Sequence, residues 1–129
     1  MTKSNKLALG SAQFGLNYGI SNNNGTVDII QTNLILEKAK KHGINTIDTA
    51  IVYGDSEKLL GEIGVTHFDL ITKLPPLPSN QSDIRSWLAI NLNLSLKKLN
   101  LPKIYGLLLH RSADLIGQNG KKYYDELLR

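Results

Sequence analysis

The sequence predicts an α/β fold in which four parallel strands alternate with four helices, a (βα)4 array. Two observations carry that expectation. Short apolar runs alternate with longer stretches of three- and four-residue apolar spacing, the pattern of βα units around a parallel sheet. The last run, Ile104 to His110, is nearly continuous in apolar residues, which suits a strand covered on both faces.

The elements follow in order. The first strand is Leu7 to Leu9, leading through Gly10 into a long loop from Ser11 to Gly25, rich in Gly and Asn and too polar to be core. The first helix starts near Thr26 or Asp28, either of which can cap exposed amide hydrogens, and carries Ile29, Thr32, Leu36 and Ala39 on one face. Gly43 ends it, because a residue without Cβ readily takes the left-handed conformation after the last turn. Asn45 to Asp48 forms the second strand. A short helix capped by Asp55 or Ser56 follows, with Leu59, Leu60 and Ile63 apolar and Gly64 closing it. The third strand, Phe68 to Lys73, stops before Pro75, Pro76 and Pro78, which lack donors for a sheet ladder. The third helix is the longest, capped by Ser82, with Ile84, Leu88, Leu92, Leu96 and Leu99 along one side and Pro102 marking its end. Ile104 to His110 is the fourth strand, and Lys121 to Arg129 a fourth helix cut off where the chain stops. Four units are half of a (β/α)8 TIM barrel, which usually needs about 250 residues. The expectation is therefore the N-terminal half of such a barrel over residues 1–129, truncated in or after the fourth helix. A four-unit open sheet of flavodoxin type is the competing architecture.

Composition narrows the function. With 41% hydrophobic and 20% charged residues the chain is an ordinary folded, soluble domain. The net charge of +4 comes from dispersed lysines. Lys40, Lys41, Lys97 and Lys98 sit near helix C-termini, where a cation offsets the negative end of the helix dipole, so no nucleic-acid partner is expected. The absence of cysteine excludes disulfides and thiolate catalysis. The polar opening from Met1 to Lys6, and an apolar stretch interrupted by Gly10, Ser11 and Gln13, do not make a secretory core; no run spans a membrane, and the expected location is the cytoplasm. His42 and His67 have no carboxylate or cysteine partner at a recognisable spacing, so no metal site is expected. Ala12 and Phe14 break the spacing of a G-x-G-x-x-G dinucleotide fingerprint between Gly10 and Gly15.

In parallel α/β folds the active site lies at the carboxyl ends of the strands. Strand two ends at Asp48, strand three at Lys73 and strand four at His110, with Tyr53 in the loop after strand two. Parallel strands would bring these groups to one face. The chemistry suited to the set is proton donation by a phenol. With a reference pKa of roughly 10, a phenol needs a neighbouring ammonium that favours its ionised form, and a carboxylate keeps that ammonium charged and in place. An imidazole then supplies a hydrogen bond to a substrate oxygen. Singly, each has a plainer reading: a turn cap for Asp48, packing for Tyr53, a solvated strand end for Lys73 and a structural histidine for His110.

The stretch Ile44 to Gly61, INTIDTAIVYGDSEKLLG, resembles the aldo-keto reductase superfamily, with Asp48, Ala50, Tyr53, Gly54, Ser56 and Glu57 in the family's order. Ile71-Thr72-Lys73 is similar to the family's lysine-bearing strand and Leu107-Leu108-Leu109-His110 to its histidine-bearing strand, so the resemblance covers nearly the whole chain. It implies a carbonyl reductase in which Tyr53 is the general acid, Lys73 its activator, Asp48 the partner of Lys73, and His110 the residue orienting the carbonyl. It further implies NADPH as the hydride donor, with NADH as second choice, approached by Gly10, Ser11 and Asp48. Tyr105 stands where many members have aspartate and Ser112 where a proline often follows the histidine, departures that leave the four central residues untouched. Family members bind much of the nicotinamide and the adenosine phosphate with loops after later strands, so this chain alone is expected to be inactive. The alternative is a non-catalytic half-barrel or assembly module that self-associates through open sheet edges. The expected partner is a small-molecule carbonyl compound; the asparagines of the 11–25 loop and Tyr18 would suit a polar one, such as a sugar carbonyl.

Overall fold

The computed structural model describes residues 6–129; of the polar opening from Met1 to Lys6, residues 1–5 lie outside them. The elements are β1 (Ala8–Gly10), α1 (Ala12–Gly15), α2 (Ile29–Lys41), β2 (Thr46–Asp48), α3 (Ser56–Ile63), β3 (Asp69–Leu74), α4 (Ile84–Leu99), β4 (Gly106–Leu109), a 3-10 turn at Ser112–Leu115 and α5 (Gly120–Leu127). The four strands form one parallel sheet in the order β1-β2-β3-β4. Sequential parallel neighbours joined by right-handed crossovers put every connecting helix on the same side. That order has no reversal, which removes the flavodoxin-type alternative and leaves the barrel-type winding.

Burial confirms the one-sided covering. Along β3 the pattern alternates: Leu70, Thr72 and Leu74 are buried, while Asp69 is exposed and Ile71 and Lys73 are half-buried. Ile47 of β2 and Leu70 of β3 meet Phe14, Leu36, Leu60 and Leu99 from the helices, with Val65 and Phe68 closing the bottom. Ile47 and Leu60 have no exposed surface, and truncating either to alanine should cost about 2–5 kcal/mol. A second cluster, Leu74, Leu77, Ile84 and Tyr123, joins the end of β3 to α4 and α5, and Trp87 lies edge-on to Tyr123 within it, a packing role.

Most element ends fall where the sequence places them. Asp28 caps α2 by accepting from the Gln31 amide at 2.8 Å, and the left-handed Gly43 and Gly64 follow α2 and α3. His42 sits at the C-cap of α2, its ring nitrogen 2.8 Å from the Lys38 carbonyl. Four expectations need correcting. The 11–25 segment is not all loop: α1 forms because Phe14 finds a place in the core, a tertiary reward that four residues of local pattern do not reveal. Asp83, not Ser82, caps α4, accepting from the Ser86 amide at 3.0 Å, and those hydrogen bonds from Ser86 are the main reason its carboxyl lies below the usual range. Neither Asp55 nor Ser56 caps α3 through its side chain. Finally, β4 is covered on one face only: Leu107 and Leu109 pack on the second cluster, while Leu108 is 47% exposed on the side that carries no helix.

Elsewhere, burial foremost and the Lys40 ammonium secondarily lower the pKa of His67. Among the described residues no helix is long and apolar enough to cross a membrane.

Tyr123 has no exposed surface, and its hydroxyl lacks a hydrogen-bond partner among the described residues. Burial pushes its pKa up to about 12. The neutral phenol is thus favoured in the folded state, and the stability it contributes is complete below pH 10 and lost as pH rises toward 12. Replacing Tyr123 by Phe removes an unsatisfied polar group, so we expect an equal or higher Tm at pH 7 and a shallower decline in Tm between pH 10 and 12, both read by thermal denaturation.

Candidate active site

The register of the sheet decides which side chains share the uncovered face. Gly10, Asp48, Ile71 and Gly106 lie at one level, paired in turn across β1, β2, β3 and β4. Lys73 is two residues beyond Ile71 and pairs with Leu108, and His110 is two residues beyond Leu108. Since side chains alternate between faces, Gly10, Asp48, Lys73 and His110 all emerge on the side away from the helices, near the carboxyl ends of their strands.

Tyr53 reaches the same place by a turn rather than a strand. The β2–β3 ladder continues past Asp48, with Thr49 N donating to the Ile71 carbonyl at 2.9 Å and Ile51 N to the Lys73 carbonyl at 3.2 Å. Tyr53 N then donates to Ala50 O at 3.0 Å, closing a tight turn that continues into α3. The turn rests on α1 by direct contact of backbones. A Cβ on Gly15 would stand 1.8 Å from the Tyr53 carbonyl oxygen, and one on Gly54, whose φ is +55, would stand 2.3 Å from the Gly15 carbonyl oxygen.

The four groups converge. Lys73 Nζ donates to Asp48 Oδ2 at 2.6 Å and to the Thr49 carbonyl at 3.0 Å, and lies 5.1 Å from the centre of the Tyr53 ring. The Tyr53 and His110 rings meet edge to face with centroids 6.0 Å apart. Lys73 is mostly covered, its side chain 16% exposed, whereas His110 is open to solvent. The arrangement places a cation beside a phenol and an imidazole across from it, a set able to stabilise and transfer a proton at an oxygen bound between them.

The two remaining candidates behave differently from each other. Gly10 is exposed, and a side chain built there would meet nothing within 4 Å, so an open shelf lies beside Asp48 at the level of the site. Ser11 is fully buried, and its hydroxyl donates to the Asp48 carbonyl at 3.1 Å. β1 ends at Gly10, the Ser11 side chain turns inward, and its hydroxyl holds the Asp48 backbone. Sequence reasoning singles out neither Thr49 nor Gly15; Ser56 enters it as a helix cap and as part of the family-like stretch, without its partners Ser11 and Thr49, and nothing local marks Gly15 as a packing contact.

Other sequence candidates stay apart from the site. Tyr105, 72% exposed, lies at the opposite end of β4, where Phe68, Asp69, Leu101 and Ile104 help line a hollow of 430 Å³. That hollow, also lined by Lys103, opens at the amino ends of the strands, away from Asp48, Lys73 and His110. Ser112 opens the 3-10 turn, in which Asp114 accepts from Arg111 Nε at 2.7 Å and from the Leu77 amide at 2.9 Å. In the 11–25 segment, Asn22 donates to the carbonyls of Tyr18 and Gly25, so its amide shapes the loop itself. Among the described residues no three His, Asp or Glu side chains gather as a metal site would need.

Comparison with known proteins bears on this geometry. A family model described as the aldo/keto reductase family matches residues 6–114. A Schizosaccharomyces pombe protein named as a voltage-gated potassium channel subunit beta is 32% identical over 111 residues, covering 76% of this chain and 32% of that protein. The crystal structure of an aldo-keto reductase from Pseudomonas aeruginosa is 28% identical with a TM-score of 0.75, over 94% of this chain and 49% of that one. An aldo-keto reductase from Bacillus halodurans in its holo form shares the fold at 20% identity, with a TM-score of 0.64 over 94% of this chain and 41% of that one. The chain thus spans about half the length of the solved structures it resembles and about a third of the yeast protein.

The Gly15–Gly54 contact yields a prediction. Gly15→Ala must push the Tyr53 turn away from α1, because the obstructing atoms belong to the backbone. We expect a loss of about 1–3 kcal/mol in stability, measured by urea denaturation, as for other overpacked sites.

Proposed function

Because the chain belongs to the aldo/keto reductase family, we propose that the protein carrying it reduces an aldehyde or ketone to an alcohol, and that Asp48, Tyr53, Lys73 and His110 form its catalytic site. The observation that supports this reading most is the meeting of the Tyr53 ring with both the Lys73 ammonium and the His110 imidazole. In the proposed mechanism the substrate oxygen sits between the Tyr53 hydroxyl and His110. His110 hydrogen-bonds to the oxygen and fixes the orientation of the carbonyl. As negative charge develops on that oxygen, Tyr53 donates its phenolic proton, completing the alcohol. The Lys73 ammonium stabilises the charge left on the phenol, and Asp48 with the Thr49 carbonyl keeps the ammonium in place. Hydride is the contribution of a reduced nicotinamide when bound, NADPH as first choice and NADH as second. Gly10 and Asp48 would hold its ring on the open shelf at the end of β1.

The open side of the sheet suits a partner half. In this reading residues 1–129 supply the N-terminal half of a (β/α)8 barrel in a cytoplasmic enzyme, and substrate selection rests on loops of the whole protein. A second reading, a non-catalytic assembly module, is favoured by one observation: β1 and β4 each have a single strand neighbour among the described residues. Solution mass and NADPH titration of residues 1–129 separate the two. A monomer that binds NADPH supports the catalytic reading, and a dimer indifferent to NADPH supports the module.

The catalytic assignment is tested with the whole protein, NADPH and an activated aldehyde. Tyr53→Phe keeps the ring and its packing but removes the proton donor, so kcat/KM is expected to fall by about 10²–10⁴. Equal turnover in the two proteins would remove Tyr53 from the mechanism.

A further inference from the structure

Three hydroxyl side chains with no exposed surface, those of Ser11, Thr49 and Ser56, meet directly behind the site. Ser56 Oγ lies 2.9 Å from Ser11 Oγ, 3.0 Å from the Ser11 carbonyl and 3.1 Å from Thr49 Oγ1. Ser11 Oγ lies 3.1 Å from the Asp48 carbonyl, which also accepts from the Ser11 amide at 3.0 Å. Each hydroxyl has one proton to give. One consistent assignment therefore runs from Thr49 to Ser56, from Ser56 to Ser11, and from Ser11 to the Asp48 carbonyl. Buried hydroxyls cost stability unless every one is partnered, and a fully partnered set locks its members into one arrangement.

What this set locks is the pair of acceptors that hold Lys73. The ammonium takes Asp48 Oδ2 and the Thr49 carbonyl, and the hydroxyl chain begins at the Thr49 side chain and ends at the Asp48 backbone. The β2 strand is only three residues long, and although the ladder goes on to hold the Thr49 amide against the Ile71 carbonyl, the Asp48 side chain and the Thr49 side chain need their own hold. We propose that Ser56 is a positioning residue of the site, acting through Thr49 and Ser11 to fix the two acceptors that hold the Lys73 ammonium. Ser56 sits on the first turn of α3, and its hydroxyl bonds to Ser11 and Thr49 rather than to Lys73 or Tyr53, so its influence passes through its neighbours. A nearby buried network offers a contrast. On the helix-covered face, Thr72 and Ser95 donate to Glu57 Oε1 at 2.7 and 2.5 Å, next to Lys73 in sequence but on the opposite side of β3.

The catalytic meaning of this role rests on the reductase reading, but the geometry is measurable without turnover. In protein labelled with 15N-lysine, an ammonium held by two acceptors gives a slowly exchanging NMR signal, assigned to Lys73 by its loss in Lys73→Met. Ser56→Ala and Thr49→Val, the latter keeping the shape of the side chain without its hydroxyl, are expected to broaden or abolish that signal, and Thr49→Ser to restore it. Thr72→Val, which breaks the bond to Glu57, is expected to lower Tm and leave the signal in place. The proposal is overturned if folded Ser56→Ala and Thr49→Val retain the wild-type signal, or if Thr72→Val loses it equally. Should Ser56→Ala not fold, Thr49→Val decides. Signal loss together with full turnover of Tyr53→Phe would sink the reductase reading and leave this one standing.

Discussion

The parallel pairing of β2 with β3, and of β3 with β4, is the constraint from which the site follows. Parallel ladders leave successive side chains on alternate faces, and the sequential strand order puts every helix on one of them. The other face carries Asp48, Lys73 and His110, each two residues further toward the carboxyl end than the one on the strand before. A slip of one residue in any pairing would turn one of these groups into the helix-packed core, where an unpaired charge is costly. The register that maximises burial of Ile47, Leu70 and Leu74 is thus the same register that assembles the polar groups, and the hydrophobic core enforces the geometry of the chemistry.

The Lys73–Asp48 ion pair belongs to orientation more than to stability. Its side chains are 16% and 36% exposed, and pairs in such settings add little to the folding free energy once water and side-chain entropy are counted. What they do add is a fixed position for a positive charge beside an aromatic ring. Removing the carboxylate would leave a mostly covered ammonium with one protein acceptor, the Thr49 carbonyl, and freedom to turn away from Tyr53. The turn that brings Tyr53 into place depends on a different force, the close approach of the Gly15 and Gly54 backbones, which tolerates no side chain. Charge thus holds the Lys73 half of the site and steric exclusion the Tyr53 half, and the Ser56 side chain, next to the Tyr53 turn, links the two.

The helical face shows how such precision is anchored. Leu36, Leu60 and Leu99 come from three different helices and converge on Ile47 and Leu70, and Gly61 lets α3 approach the end of α4 so closely that a Cβ would lie 2.1 Å from the Lys98 carbonyl. Close packing of this kind leaves α3 little room to shift, and α3 begins at Ser56, where the turn from Tyr53 ends. Core and site are therefore mechanically continuous.

The residues themselves determined the four strands, the four longer helices, and the groups at or just past the strand ends. Apolar periodicity is local, and Asp48, Tyr53, Lys73 and His110 stand at fixed distances from runs that could only be strands. The prolines after Leu74 and the glycines at 43 and 64 act through their own backbones, so their effects were legible too. Other features depend on partners far away in the chain. Whether Ser11 faces outward or inward turns on Asp48 and Ser56, 37 and 45 residues distant, and α1 exists because Phe14 meets a core assembled from later segments. Leu108 reads as buried by its apolar neighbours, yet it is exposed, because only the fold decides that the helices lie on one side. Hydrogen bonds between distant hydroxyls and contacts between distant glycines have no local pattern, and tertiary structure alone could settle them.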